Sequence, residues 1–279
     1  MEPQFMEAVL DAAAVLLPLA YLLVAVDYGF LFFGNRSFLP GGSSLALRIV
    51  LVAHLGYLTL LAAHFQHFPA ANVSEALSIV AFSILAVYAI VEWLGNETST
   101  GFWMVALAFL FALGASLMSG STPEDRELFR NPFFFGHASL ALLSSAAFAV
   151  AASYAFLFLR LYRELKAGRF TLFFGKLPPL EVLERMMSGA LLVGFIALTG
   201  AVVTGFVWAF QVVPGEFFKD SKTVATLVVW ALYAAVLLLR RLRRWQGRET
   251  AIASLAGFAF TLFSFVAINL WLSDFHSFN

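Results

Sequence analysis

Residues 186–212 read MMSGALLVGFIALTGAVVTGFVWAFQV, a run without one charged side chain. At 1.5 Å rise per residue it is long enough as a helix to cross the roughly 30 Å of hydrocarbon in a bilayer. Two further apolar runs, about 223–241 and 250–272, follow it. Five more precede it, about 8–33, 46–65, 74–94, 101–118 and 136–160. Composition agrees: 61% of residues are hydrophobic, 12% are charged and mean hydropathy is +0.87. Soluble domains hold about 45–50% and about 25% of these classes. The expected fold class is therefore all-α, a polytopic membrane bundle of about eight transmembrane helices forming a single domain over 1–279, integral to a bacterial or archaeal cytoplasmic membrane.

The same composition excludes several chemistries. Formal net charge is zero, so no nucleic-acid partner is expected. Cysteine is absent, which removes disulfides, thiolate metal sites and cysteine nucleophiles. No carboxylate pair is spaced for acid and base work, no Ser-His-Asp set is present, and no glycine loop is built for phosphate. Met1–Met6 is acidic rather than basic, and no signal peptide is expected there.

Lysine and arginine set the expected orientation. In an eight-helix arrangement all but four of the 17 basic residues fall in three loops on one side. Arg36 and Arg48 lie in the first loop, Arg160–Arg185 in the second and Arg240–Arg248 in the third. Arg126, Arg130, Lys219 and Lys222 fall on the other side. Both termini are then expected outside the cytoplasm. Thr122-Pro123-Glu124-Asp125 predicts a short outer surface helix to about Arg130, and Asn72 with Glu75 predicts a capped start for the third helix. The loop 167–183, with Gly168, Gly175 and Pro178-Pro179, is expected along the inner membrane surface.

The order of short signatures in the last hundred residues is distinctive. Gly194-Phe195 leads to Leu198-Thr199-Gly200, then Gly205 and Trp208-Ala209. Trp230 and Tyr233-Ala234 follow, then Trp245-Gln246-Gly247-Arg248 in a basic turn and a closing His276-Ser277-Phe278. This order resembles the cytochrome c assembly protein family, integral membrane haem-handling proteins that include the membrane subunit of the system II cytochrome c synthase. The resemblance is strongest over 136–279. Two positions depart from the family pattern. Gln211–Lys222 stands where a tryptophan-rich haem loop is expected, and Leu238 stands where the family has an embedded histidine. The chain thus looks closer to shorter relatives lacking that loop.

The resemblance implies a haem-binding protein of cytochrome c assembly or haem homeostasis, a haem delivery or attachment factor rather than a stand-alone enzyme. It implies b-type, non-covalent haem and, as further partners, apocytochrome c or another membrane assembly factor. His137 and His276 match the family's pair of outer histidines and are expected at one depth on the same face; haem iron takes two axial imidazoles. Trp208, Phe217 and Phe218 are candidate walls, and Lys219 and Lys222 candidate propionate partners. In each case an ordinary interfacial side chain is the alternative.

His54 differs, lying about 9 Å along the second helix from Arg48. An embedded ionisable group is a functional candidate, as ligand or proton path, and equally a hydrogen-bonded link between helices. His64 and His67, three apart, share a helix face but need further ligands to hold a metal. Asp11, Asp27 and Glu92 are expected at solvated helix ends. Two other functions fit parts of the pattern. A b-type electron-transfer cytochrome would use His54. A secondary transporter would show interrupted helices, for which Gly200 and Gly205 are candidate breaks.

Overall fold

A computed structural model describes residues 3–95, 97–118, 132–168, 172–212, 221–243, 245 and 247–271. Among these residues all regular structure is helical. The helices are α1 (Pro3–Gly34), α2 (Ser43–Phe65), α3 (Val73–Gly95), α4 (Gly101–Leu117), α5 (Pro132–Lys166), α6 (Leu172–Lys176), α7 (Leu180–Val212), α8 (Ser221–Arg243) and α9 (Gly247–Trp271). Six of the described helices, α1, α2, α3, α5, α7 and α8, are long and apolar enough to cross a membrane. The chain is an all-α polytopic membrane protein.

The eight apolar runs correspond to α1–α5 and α7–α9, and the helices overrun them at polar ends. α5 begins at Pro132, a residue suited to the first helical turn, and continues through Arg163 and Lys166 in its last turn. Gly168, at φ +64°, ends that run in a left-handed conformation, with its N–H on the Leu165 carbonyl. α6 then occupies part of the loop expected to lie along the surface. The predicted surface helix 123–130 lies outside the described residues.

The chain divides into two compact units. The first comprises residues 1–131 and 176–178; in it α1 packs on α2 and α4, and α3 on α2 and α4. Pro18 sits inside α1, which nevertheless continues through it. Asp27 and Glu92, expected at solvated ends, are instead buried. The Asp27 carboxylate accepts bonds from the Phe38 and Leu39 N–H groups (2.8 and 3.1 Å) and from the Ser37 and Ser43 hydroxyls (2.9 and 2.5 Å). Glu92 accepts from Tyr28 (2.5 Å) and Tyr88 (2.7 Å). Protein donors have replaced water in both cases, as burial requires. Asp11 does remain exposed. α3 starts as its sequence predicts: Asn72 Oδ1 accepts from Glu75 N–H, and Glu75 Oε2 accepts from Ala71 N–H, each at 2.8 Å.

The second unit comprises residues 132–175 and 179–279. Here α5 lies antiparallel to α7, with α9 on α5 and α8 against α7 and α9. Successive α7 glycines meet side chains at descending positions along α5. A Cβ built on Gly194 would stand 2.7 Å from the Phe148 ring, one on Gly200 3.0 Å from Leu140, and one on Gly205 2.7 Å from His137. The glycines let the two backbones approach closely, the use of small residues typical between membrane helices. Phe148 in turn stacks on Tyr233 of α8, centroids 3.7 Å apart and planes 4° from parallel. Gly257 of α9 lies against the same tyrosine, 3.3 Å from a built Cβ. Trp230 donates its indole N–H to Thr199 Oγ1 (3.0 Å) and stacks on Phe195.

Gly189 is the exception on α7, since a Cβ there meets nothing within 4 Å. Gly194→Ala is therefore expected to cost about 1–3 kcal/mol through overpacking. Gly189→Ala should be neutral or stabilising by up to about 1 kcal/mol from helix propensity. Unfolding in detergent, followed by tryptophan fluorescence, separates the two; equal effects would remove the close-approach account.

Candidate functional site

The site begins one turn into α5. Phe134 and His137, three apart, share a face of that helix, and Ala201, Gly205 and Trp208 share the facing side of α7. His137 Nδ1 lies 2.8 Å from the Ala201 carbonyl oxygen. A carbonyl can only accept, so Nδ1 carries the proton and the imidazole, when neutral, has its lone pair on Nε2. Gly205 makes this possible, because any side chain there would strike the ring. Metal-ligating histidines have the same feature: the second nitrogen bonds to a carbonyl or carboxylate, fixing tautomer and ring orientation.

Trp208 stands one turn beyond Gly205, with its ring edge-on to Phe134 (5.9 Å, 67°). Its indole N–H is buried and has no acceptor among the described residues. Such a donor costs free energy unless something accepts its proton. Of the expected haem-side residues, the structure thus brings Trp208 to the same face as His137. Lys222 lies in the first turn of α8. His276, Phe217, Phe218, Lys219, Arg126 and Arg130 lie outside the described residues.

His54 sits apart, in the first unit, and is 1% exposed. Its Nδ1 is 2.8 Å from the Tyr21 hydroxyl and its Nε2 2.9 Å from the Ser78 hydroxyl, which ties α2 to α1 and to α3. A neutral imidazole has one donor and one acceptor, and both are engaged; iron ligation by His54 would require one bond to be given up. Beside the ring lies a small cavity of about 20 Å³ lined by Ala14, Pro18, Tyr57, Ser74 and Ser78, room for a single water. Pro18 has no N–H, so it cannot pair with the Ala14 carbonyl one turn back.

His67 Nδ1 donates to the Phe68 carbonyl (2.8 Å), and His64 Nε2 lies 3.9 Å from Glu7. Among the described residues no three histidine or acidic side chains group as a metal site. α7 runs unbroken from Leu180 to Val212, so neither Gly200 nor Gly205 interrupts it. Three features were missed in the sequence: the Asp27 and Glu92 networks and an arginine-lined groove beside α7. The Tyr88–Glu92 spacing of four was a readable sign for one of them.

Replacing His54 by leucine leaves the Tyr21 and Ser78 hydroxyls buried and unpaired, at an expected cost of about 2–4 kcal/mol. Adding Tyr21→Phe should cost less than the two single changes together. Chemical unfolding in detergent measures this coupling, and strict additivity would mean that the bond contributes nothing.

Residues 49–276 match the Cytochrome C assembly protein family. The chain is similar to the Cytochrome c biogenesis protein CcsA of Microcystis aeruginosa, 26% identical across 92% of this chain and 93% of the relative. It is similar to CcsA of Prochlorococcus marinus, 26% identical across 76% of this chain and 75% of the relative. A shorter stretch, 35% of this chain and 31% of the relative, is 34% identical to CcsA of Thermosynechococcus vestitus. With the match spanning most of its helices, including the α5–α7 pair that carries His137, the chain belongs to the cytochrome c assembly protein family.

Proposed function

We propose that this protein handles haem in cytochrome c biogenesis, binding it at the outer face of the cytoplasmic membrane with His137 and His276 as axial ligands. One observation carries this assignment: the Ala201 carbonyl holds His137 in the tautomer that leaves Nε2 free to ligate iron. The surroundings fit the same ligand. Phe134 and Trp208 give an apolar, aromatic wall, and the buried Trp208 N–H offers a donor to a propionate. Membership of the family and likeness to the CcsA relatives support a role in cytochrome c assembly.

Bound haem would supply the redox-active iron and the vinyl groups that react with an apocytochrome's thiols. The chain itself has no cysteine, so it can form no thioether to haem, and the thiols belong to a partner. Its own residues bind and orient. His137 is fixed by Ala201 and Gly205, Phe134 and Trp208 exclude water, and Lys219, before α8, and Lys222, in its first turn, neutralise propionates. His276 closes the site from the segment after α9. The basic loops face the cytoplasm, and both termini lie outside it.

The test is the absorption spectrum of detergent-purified protein, oxidised and dithionite-reduced, with and without haemin. A six-coordinate low-spin spectrum is expected in wild type, and its loss or conversion to high spin in His137→Ala and in His276→Ala. Gly205→Ala, which pushes on the His137 ring without removing it, should weaken haem retention about tenfold. A Soret band indifferent to both histidine changes, or no band under any condition, would overturn the assignment.

A further inference from the structure

At the N-terminal end of α7 and the C-terminal end of α8 lies an open groove of about 660 Å³ that the proposed haem site does not use. One end is charged. Arg185, Arg240 and Arg241 meet there with Glu181 and Glu184, three cations against two anions, leaving one net positive charge. Glu184 is paired with Arg240 at 3.4 Å. Arg185 and Arg241 make no ion pair among the described residues. The other end is apolar, formed by Leu192 and Leu237, with Gly189 between the two ends.

Two details show that the apolar half is an open slot. A Cβ on Gly189 would meet nothing within 4 Å, and Leu192 is 51% exposed. From Arg185 to Leu192 is seven residues, about 10 Å along a helix. A ligand filling the groove therefore has a single negative charge at one end and an aliphatic tail about 10 Å or more away, lying along α7 into the membrane.

We propose that this groove binds an anionic phospholipid, its phosphodiester between Arg185 and Arg241 and one acyl chain over Gly189 against Leu192 and Leu237. Charge complementarity selects it, since a phosphodiester carries the one negative charge that the groove leaves unbalanced, and arginine forks bind phosphate well. Haem fits less well. Its two propionates exceed the net charge, and no histidine lines the groove to ligate iron. A free inorganic phosphate would leave the apolar half empty.

The experiment uses the full chain purified in a neutral detergent, with native mass spectrometry and thermal unfolding followed by tryptophan fluorescence. Phosphatidylglycerol, phosphatidylcholine, inorganic phosphate and haemin are added separately. Phosphatidylglycerol is expected to remain bound at one copy and to raise the melting temperature by about 5 °C or more at saturation, phosphatidylcholine and phosphate doing neither. Arg185→Gln with Arg241→Gln should abolish both effects. Gly189→Leu, which keeps every charge and fills the slot, should abolish retention and so tests the site should the double variant fail to fold. Equal stabilisation by phosphatidylcholine, an equal shift from phosphate alone, displacement of the lipid by haemin, or retention of phosphatidylglycerol in Gly189→Leu would each overturn the proposal.

Discussion

The second unit depends on how closely α5 and α7 approach. Glycine at 194, 200 and 205 removes the side chains that would hold the helices apart, and Phe148, Leu140 and His137 fill the space. With the interval set, Phe148 reaches Tyr233 in a parallel stack, and Tyr233 in turn lies over Gly257. Four helices are thereby joined by one contact line. At its His137 end the same line brings an imidazole within 2.8 Å of a backbone carbonyl. A packing constraint becomes a chemical one there, because the carbonyl decides which ring nitrogen keeps its proton.

In the absence of a hydrophobic force between helices, packing and hydrogen bonds carry specificity. The family signatures acquire a physical meaning on that basis. Trp230 is held by Thr199 and Phe195, so residues from two separated signatures form one contact. Thr199 serves twice, since it also donates to the Phe195 carbonyl (2.8 Å), a bond that satisfies its own hydroxyl within α7. In the first unit the links are polar instead. Tyr21, His54 and Ser78 join three helices through one ring, and Tyr28 and Tyr88 converge on Glu92.

The helices were legible because a membrane span must be long and apolar, and no run of residues 186–212 could be anything else. Helix ends were less so: α5 extends to Lys166 on basic residues that hydropathy counts as loop. The glycines of α7 were recognisable as a thin surface, but Phe148 and Leu140 were not recognisable as what fills it, since nothing in an apolar helix marks which residue faces which neighbour. Asp27 and Glu92 were misjudged for a related reason. Position near a helix end suggested water, whereas all their donors but Tyr88, one turn before Glu92, come from residues 10 to 64 positions away. His54 was ambiguous in sequence, and only the two hydroxyls on its ring show how its nitrogens are used.

The Asp27 network also bears on how the chain enters the bilayer. A carboxylate released into lipid without donors is costly, about 2.5–3.5 kcal/mol at mid-depth on insertion scales and less towards the surface. All the donors to Asp27 lie within 16 residues downstream, ending at Ser43, at the start of α2. Glu92 depends on Tyr28, 64 residues upstream and already synthesised when Glu92 is made. During synthesis from the N-terminus, then, α1 becomes comfortable in lipid only as the loop behind it emerges, so α1 and α2 partition as a hairpin. The acid on α3 finds its tyrosine waiting.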